Sequence, residues 1–332
     1  MSVSFTVYRG SASGKIVKDT THKELRPDDV VLKITHSGLC YTDVHYRKSD
    51  ICLGHEGVGI VEKVGPAVKH FKIGDHAGWG YVRNTCGSCE ACSHRDDMYC
   101  KQAELYGFTN TDQGSFASHT VVREAFLIPI SDDIDLKYAG PLMCGGATVF
   151  DPLYRYGLKP TDRVGVIGIG GLGHLAVQFA AKMGCQVIVF SSSDKKREEA
   201  KAFGATEFYA TKGVDNLALE KPIDVLIATA SVQPDWRLYL PILNYRATIF
   251  PLTFDSEHEF SIPIIALNTT PLTVQGSAVA PRWVFRKMLD FVAQHGIKPM
   301  IQEFPMTEAG IEQAFAALEA GTLRYRAVLV GQ

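Results

Sequence analysis

One run, Val164-Gly165-Val166-Ile167-Gly168-Ile169-Gly170-Gly171-Leu172-Gly173-His174-Leu175-Ala176, limits the folds open to this chain more than any other feature. It reads as an apolar strand, a G-x-G-G-x-G turn and an apolar helix. In that setting the glycines let a backbone approach a pyrophosphate at the positive end of a helix, which makes a dinucleotide site. A bare glycine-rich turn is the plain alternative, and the strand-turn-helix context argues against it. From about Thr148 to Pro281, apolar strands alternate with helical stretches: Arg163 to Ile167, Leu172 to Met183, Gln186 to Phe190, Lys195 to Phe203. That alternation predicts an α/β unit with a doubly wound parallel sheet.

The rest of the chain has another texture. From Val30 to about Phe126 short alternating strands, such as Val30 to Ile34 and Gly59 to Val64, are broken by Gly-rich and Cys-rich turns. A tail ending in Arg324-Tyr325-Arg326-Ala327-Val328-Leu329-Val330 has no hairpin partner nearby, so it is expected to return to this β-rich part. An amphipathic stretch, Trp283 to Gln294, leads into it. With 332 residues, enough for two cores at roughly 150 residues per domain, the expected division is 1–147 with 286–332, and 148–285. Pro251 to Leu272 shows little periodicity.

Cys86, Cys89, Cys92 and Cys100 stand as C-x2-C-x2-C-x7-C. Four thiolates at about 2.3 Å close a tetrahedral shell around zinc and leave no open position, so such an ion holds a lobe together. A redox pair has no use for four regularly set sulfurs, and so tight a cluster reads as reduced thiolates on a metal rather than as disulfides. A second group is dispersed: Cys40, then His55 and Glu56 in Gly54-His55-Glu56, then Cys144 in Met143-Cys144-Gly145-Gly146-Ala147-Thr148. Two sulfurs and one imidazole leave a fourth corner open, where a zinc can act as a Lewis acid. Each of these residues alone is weak evidence, since a lone Cys is usually a small buried hydrophobe. A formal charge of −2 gives no basic excess for nucleic acid or an anionic membrane. The chain also has no h-region and no run of ~18 apolar residues, so a cytosolic location and a small neutral substrate are expected.

Taken together and in this chain order, these motifs resemble the zinc-containing medium-chain dehydrogenase/reductase (alcohol dehydrogenase) family, in its cinnamyl alcohol dehydrogenase-like branch. The likeness rests on Cys40-Tyr41-Thr42-Asp43-Val44-His45, on Gly54-His55-Glu56-Gly57, on the four-Cys lobe, and on Cys144-Gly145-Gly146-Ala147-Thr148-Val149. It implies a GroES-like β-rich catalytic domain beside a Rossmann cofactor domain. It also implies a catalytic zinc on Cys40, His55 and Cys144, with Glu56 beside the metal, and a structural zinc in the lobe. Related polyol dehydrogenases carry a carboxylate where this chain has Cys144, which argues against a sorbitol-type enzyme. One departure is a shortened loop between Asp43 and His55, with Leu53 where the family has Pro. Cys52, inside that loop, is read as a bystander.

The residue at the end of the second strand selects the cofactor. Gln186 to Phe190 is followed by Ser191-Ser192-Ser193-Asp194-Lys195-Lys196-Arg197. An NAD enzyme would place a carboxylate there for the ribose. The slot is Ser191, and hydroxyls with a nearby ammonium suit a 2′-phosphate. The resemblance matches Ser191, Ser192 and Lys196 to an NADP-binding segment, and Asp194 is the competing observation. Gly168, Gly170, Gly171, Leu172 and Gly173 line the expected pyrophosphate turn, and Thr148 and Thr229 are expected cofactor contacts.

The expected reaction moves a hydride between NADP(H) and a primary alcohol or aldehyde. A zinc that brings a bound hydroxyl from about 16 to about 7, as it does for water, stabilises the developing charge by ~12 kcal/mol. Thr42 and His45 are expected to relay the proton, and Asp43 to orient His55 through its second nitrogen. Arg326 is expected to reach the cofactor. Trp79, Tyr81, Phe108 and Phe116 are candidates for an aromatic cleft wall or for the core. The resemblance implies a homodimer through the nucleotide-domain sheet edge near Gln275 to Val279. Two rivals remain: a C=C or iminium reductase on the same fold, and a non-catalytic zinc- and nucleotide-binding protein.

Overall fold

A computed structural model describes residues 2–253 and 259–331. The chain forms two compact units, 1–147 with 279–332, and 148–278. The return into the first unit begins at Val279 rather than at the expected 286. The reason is that Arg282–His295 is one continuous helix that buries Val284, Phe285, Met288, Leu289 and Val292, and an apolar stripe of that kind packs as a whole.

The first unit is built on a seven-stranded sheet. Asp29–Leu39 lies at its middle, paired antiparallel with Glu56–Val64 and with His119–Arg123. The terminal strand Arg326–Val330 returns to this sheet, antiparallel to Asp29–Leu39 (Ala327 opposite Leu39) and parallel to Ile301–Pro305. This register sets Gly38 opposite Glu56 on one side and opposite Val328 on the other. The core beneath contains Leu32, Ile34, Leu53, Trp79, Phe116 and Phe315. Such side chains contribute about 1.5–3 kcal/mol each when fully buried. A small antiparallel stem, Val82–Asn84 with Glu104–Leu105, carries the four-Cys lobe between its strands.

The second unit holds a six-stranded sheet whose spatial order is Glu207–Ala210, Gln186–Ser191, Arg163–Ile167, Ile223–Ala228, Leu243–Pro251, Thr273–Val274. Every pairing in it is parallel. In chain order this is 3-2-1-4-5-6, the doubly wound arrangement that binds dinucleotides where the order reverses. The first two strands bury Val164, Val166, Val187, Ile188 and Val189 completely, which is why they read as unbroken apolar runs. The poorly periodic stretch resolves in part into the helix Ile264–Thr269; residues 254–258 lie outside the described ones. Among the described residues no helix is long and apolar enough to cross a membrane.

Candidate active site and metal centres

Cys40 ends the central strand and caps the six-residue helix Tyr41–Tyr46. Asp43, three residues on, turns its carboxylate back and accepts from the Cys40 amide (3.0 Å). The same carboxylate accepts from the Gly54 amide (3.2 Å) and from His55 Nδ1 (3.2 Å). A histidine that donates from Nδ1 presents the Nε2 lone pair outward, and here Nε2 stands 3.4 Å from Cys40 Sγ. Ligands at about 2.3 Å (sulfur) and 2.0–2.1 Å (nitrogen) in a tetrahedron lie roughly 3.6 Å apart, so this pair fits one zinc. Cys144 completes the group, and the candidate ligand atoms of Cys40, His55, Glu56 and Cys144 all lie within 4.8 Å of one another. Cys144 sits in a π-helical turn, Leu142–Gly146, between the helices Leu136–Pro141 and Ala147–Arg155. Such widened turns concentrate at functional sites.

Asp43 and Glu56 are fully enclosed, His55 is 1% exposed and Cys144 is half-buried. Within this enclosure a hydrogen bond with Cys144 holds the Cys40 thiol well below its ordinary range against the effect of burial, and His55 and Arg326 act in the same direction. The partner thiol, Cys144, is raised by that bond and by burial. Burial opposes a proton on His55, but Asp43 and Cys40 outweigh it and raise the imidazole. Burial also pushes Glu56 up to about 7 against the pull of Arg326.

Arg326 has a partner within the first unit that its place in the sequence does not announce. Its guanidinium is buried and paired with Glu56. Strand register explains the pairing: Gly38 has no side chain, and a Cβ there would meet Glu56 Oε2 at 1.8 Å. Glu56 therefore reaches across the central strand to the returning one.

In the lobe, Sγ separations are 3.9 Å (Cys86–Cys92), 3.5 Å (Cys89–Cys92) and 3.6 Å (Cys86–Cys100). A disulfide needs about 2.05 Å, whereas sulfurs on a tetrahedral zinc lie roughly 3.8 Å apart. None of the eight cysteines forms a disulfide. Backbone amides of Ser88 and Cys89 aimed at Cys86 lower it to about 6, which favours the thiolate a metal requires. Cys52 belongs to neither group; it is buried, 3.3 Å from Arg9 Nη1, and burial pushes it up to about 12.

Thr42 is half-buried and His45 exposed. They lie three residues apart on the Tyr41–Tyr46 helix, hence on one face of it. Of the four aromatic candidates only Tyr81 approaches the site, edge-on to His55 with centroids 5.6 Å apart. Trp79 and Phe116 belong to the core, and Phe108 is 68% exposed at the surface. Tyr106, which the sequence reading missed, stacks on His55 at 5.1 Å.

In the second unit the strand Arg163–Ile167 runs into the turn, and the helix Gly173–Lys182 leaves it. Gly168 has φ +84°, and a Cβ on Gly173 would strike the Gly168 carbonyl at 1.9 Å, so strand and helix meet only through glycine. A Cβ on Gly170 would project into open space, which leaves room before the helix N-terminus for a phosphate. Thr229 Oγ1 donates to the carbonyls of Ile167 (3.0 Å) and Gly168 (2.8 Å), so it braces the turn. Lys196 Nζ donates to the Ile169 carbonyl (3.0 Å), which brings an ammonium to the turn from the end of the second strand. Ser191 is half-buried and Ser192 exposed. Asp194 is held by Arg197 (Nε to Oδ1, 2.9 Å). Gly171 and Leu172 lie in the turn, and Thr148 is half-buried in the helix Ala147–Arg155.

A closed four-sulfur centre, an open Cys-His-Cys centre and a doubly wound nucleotide unit together describe a zinc-binding dehydrogenase. Residues 26–132 match the alcohol dehydrogenase GroES-like domain, and residues 171–294 match the zinc-binding dehydrogenase domain. The chain is 35% identical over 323 residues to a probable cinnamyl alcohol dehydrogenase of Populus deltoides, across 92% of this chain and 89% of that protein. It is 32% identical over 334 residues to the NADP-dependent alcohol dehydrogenase C of Mycobacterium bovis, across 96% of each. A solved cinnamyl alcohol dehydrogenase from Helicobacter pylori, complexed with NADP(H), superposes with a TM-score of 0.90 at 27% identity, across 99% of each chain. The chain belongs to the zinc-containing medium-chain alcohol dehydrogenase family, in its cinnamyl alcohol dehydrogenase-like branch.

Proposed function

We propose that this protein interconverts a primary alcohol and its aldehyde with NADP(H), on a catalytic zinc held by Cys40, His55 and Cys144. Convergence of those three side chains in one enclosure, with Asp43 fixing the imidazole, is the observation that carries the reading. When bound, a zinc of this kind supplies Lewis acidity to a substrate oxygen, and a nicotinamide supplies the two-electron redox partner. Asp43 keeps the His55 Nδ1 proton in place and so maintains the tautomer that ligation needs. Thr42 Oγ1 would accept the proton of the alcohol while giving up its own hydroxyl proton, which would reach His45 and then solvent by way of the cofactor ribose; aldehyde reduction would run the same transfers in reverse. Glu56, paired with Arg326, keeps a carboxylate beside the ligands that can exchange with the substrate position. The lobe cysteines hold a structural zinc.

On this reading residues 1–147 and 279–332 form the catalytic domain, and residues 148–278 bind the cofactor. Gly168, Gly170, Gly171, Leu172 and Gly173 receive the pyrophosphate. Ser191, Ser192 and Lys196 receive the 2′-phosphate, and Thr148 and Thr229 support the nicotinamide half. The preference for NADP(H) is supported by the missing strand-end carboxylate and by the engagement of Asp194 with Arg197. The cofactors printed for the Mycobacterium and Helicobacter relatives agree. A homodimer through the edge of the nucleotide-domain sheet near Gln275 to Val279, which follows the exposed edge strand Thr273–Val274, completes the proposal.

Steady-state kinetics with NADPH and NADH over a panel of aliphatic and aromatic aldehydes test it. Turnover preferring NADPH, with two zinc ions per chain, is expected. Failure to reduce any aldehyde would favour the C=C or iminium reductase, and a single zinc per chain would favour a binding protein.

A further inference from the structure

We infer that Tyr106 is a positioning residue for the catalytic metal site, and that the four-cysteine lobe is what holds it there. The inference rests on the proposal that Cys40, His55 and Cys144 bind zinc. Tyr106 is 3% exposed. Its ring stacks on His55, with centroids 5.1 Å apart and planes at 29°, and its hydroxyl donates to Asp43 Oδ1 at 3.4 Å. That oxygen also accepts from His55 Nδ1 and the Gly54 amide. One tyrosine therefore touches both members of the carboxylate–imidazole pair, on the face of one and at the acceptor atom of the other. Ring and hydroxyl together restrict rotation of the imidazole about its Cβ–Cγ bond, the motion that would carry Nε2 away from the two sulfurs.

The position of Tyr106 is set by the lobe. Val82–Asn84 enters the lobe four residues after Gly78 and leads to Cys86, and Glu104–Leu105 leaves it shortly after Cys100. The two strands pair in antiparallel register, Val82 with Leu105 and Asn84 with Glu104. The ladder runs one step further, with the Tyr106 amide donating to the Tyr81 carbonyl at 3.0 Å. Both tyrosines at the foot of this stem flank His55, Tyr106 by its face and Tyr81 by its edge at 5.6 Å and 81°. The closed centre ties the two strands together at Cys86 and Cys100. In this arrangement a metal with no open position still contributes to the open one, by clasping the stem that grips its histidine.

The test uses the full-length protein, with cobalt(II) placed at the more exchangeable site after removal of one zinc per chain. The readouts are the cobalt dissociation constant and its visible d–d spectrum. Tyr106→Phe keeps the ring and removes the hydroxyl. It is expected to raise the dissociation constant about 10-fold, at the low end of what loss of a ligand's supporting partner costs, and to broaden the spectrum. Tyr106→Leu removes the ring as well and is expected to cost about 100-fold. Tyr46→Phe is the comparison; its hydroxyl meets Tyr81 at 3.2 Å, and a change of less than twofold is expected. Cys100→Ser, which frees the stem at the Tyr106 end, is expected to weaken cobalt at the open site too. If Tyr106→Phe binds cobalt as the parent does with an unchanged spectrum, Tyr106 is core packing only and the inference falls. If Cys100→Ser folds and leaves the open site's affinity intact, the link to the lobe falls. A parent protein that binds no cobalt at Cys40, His55 and Cys144 would instead remove the functional proposal beneath both.

Discussion

Replacing Ser191 with Asp tests the cofactor assignment at one atom. Ser191 closes the strand Gln186–Ser191, opposite Ala210. Its carbonyl accepts from the Thr211 amide (2.8 Å) and hydroxyl (3.2 Å), so the backbone is held from outside and only the side chain changes. A carboxylate about 5 Å from a 2′-phosphate, at an effective dielectric near 20, repels it by about 3 kcal/mol per pair of unit charges. The phosphate carries more than one charge, but Ser191 is only half-buried and salt screens the pair, so about 3 kcal/mol is a fair total. At 1.4 kcal/mol per decade that is a ~100-fold loss in kcat/KM for NADPH. With NADH the new carboxylate accepts from the ribose hydroxyls, a charged hydrogen bond of about 1.5–3 kcal/mol. A gain of at least ~10-fold is therefore expected, and the preference should invert by about three orders of magnitude.

The assay is initial-rate kinetics of aldehyde reduction with each cofactor at fixed ionic strength, alongside circular dichroism to show that the variant folds. Asp194→Ala is the control. Its carboxylate is already engaged by Arg197, so the NADPH/NADH ratio should move by less than about threefold. A folded Ser191→Asp variant that keeps NADPH kcat/KM within that range would mean that the 2′-phosphate does not lie at this strand end. Inversion by Asp194→Ala alone would assign the ribose contact to Asp194.

Other outcomes come from the same geometry. Arg326→Met strands the fully buried Glu56 carboxylate beside two thiols and should cost about 3–5 kcal/mol; the Arg326→Met/Glu56→Gln double variant should recover part of it, and an additive pair in thermal unfolding would show that the two do not interact. Thr42→Ala should lower kcat about 100-fold with zinc content unchanged, and full activity would eliminate the proton relay. Cys92→Ser should bind one zinc per chain instead of two and melt about 10 °C lower, checked by elemental analysis and calorimetry. Cys52, buried against Arg9 with its thiol pushed up to about 12, should stay unalkylated by iodoacetamide at pH 8 while the protein is folded; rapid labelling in a peptide map would show that the short loop opens.

What could be read from residues alone was whatever depends on chemical identity at short range. The glycine turn announces itself because only glycine permits φ +84° at residue 168 and the 1.9 Å approach at residue 173. The lobe does so because four sulfurs in so short a span suit few purposes other than a metal. The open site was legible as a set of ligands, from their order in the chain. Their supporting residues were not legible, because sheet register and lobe geometry choose them across long stretches of sequence.

Arg326 shows how such a choice is made, and where a trace of it remains. Three strands lie side by side with Val328, Gly38 and Glu56 in one row. Side chains two apart on a strand share a face, so Arg326 projects on the same side as Val328. In most rows of a sheet the middle residue would separate the outer two. Here it is glycine, and Glu56 passes through the space a Cβ would fill to meet a guanidinium 270 residues away along the chain. A carboxylate buried next to two thiols requires a cation, and the strand Arg326-Ala327-Val328-Leu329-Val330 offers one at the head of an otherwise apolar run. Expecting Arg326 at the cofactor considers what an arginine can bind; its pairing here answers the need of Glu56, whose buried charge no other residue in that row can balance.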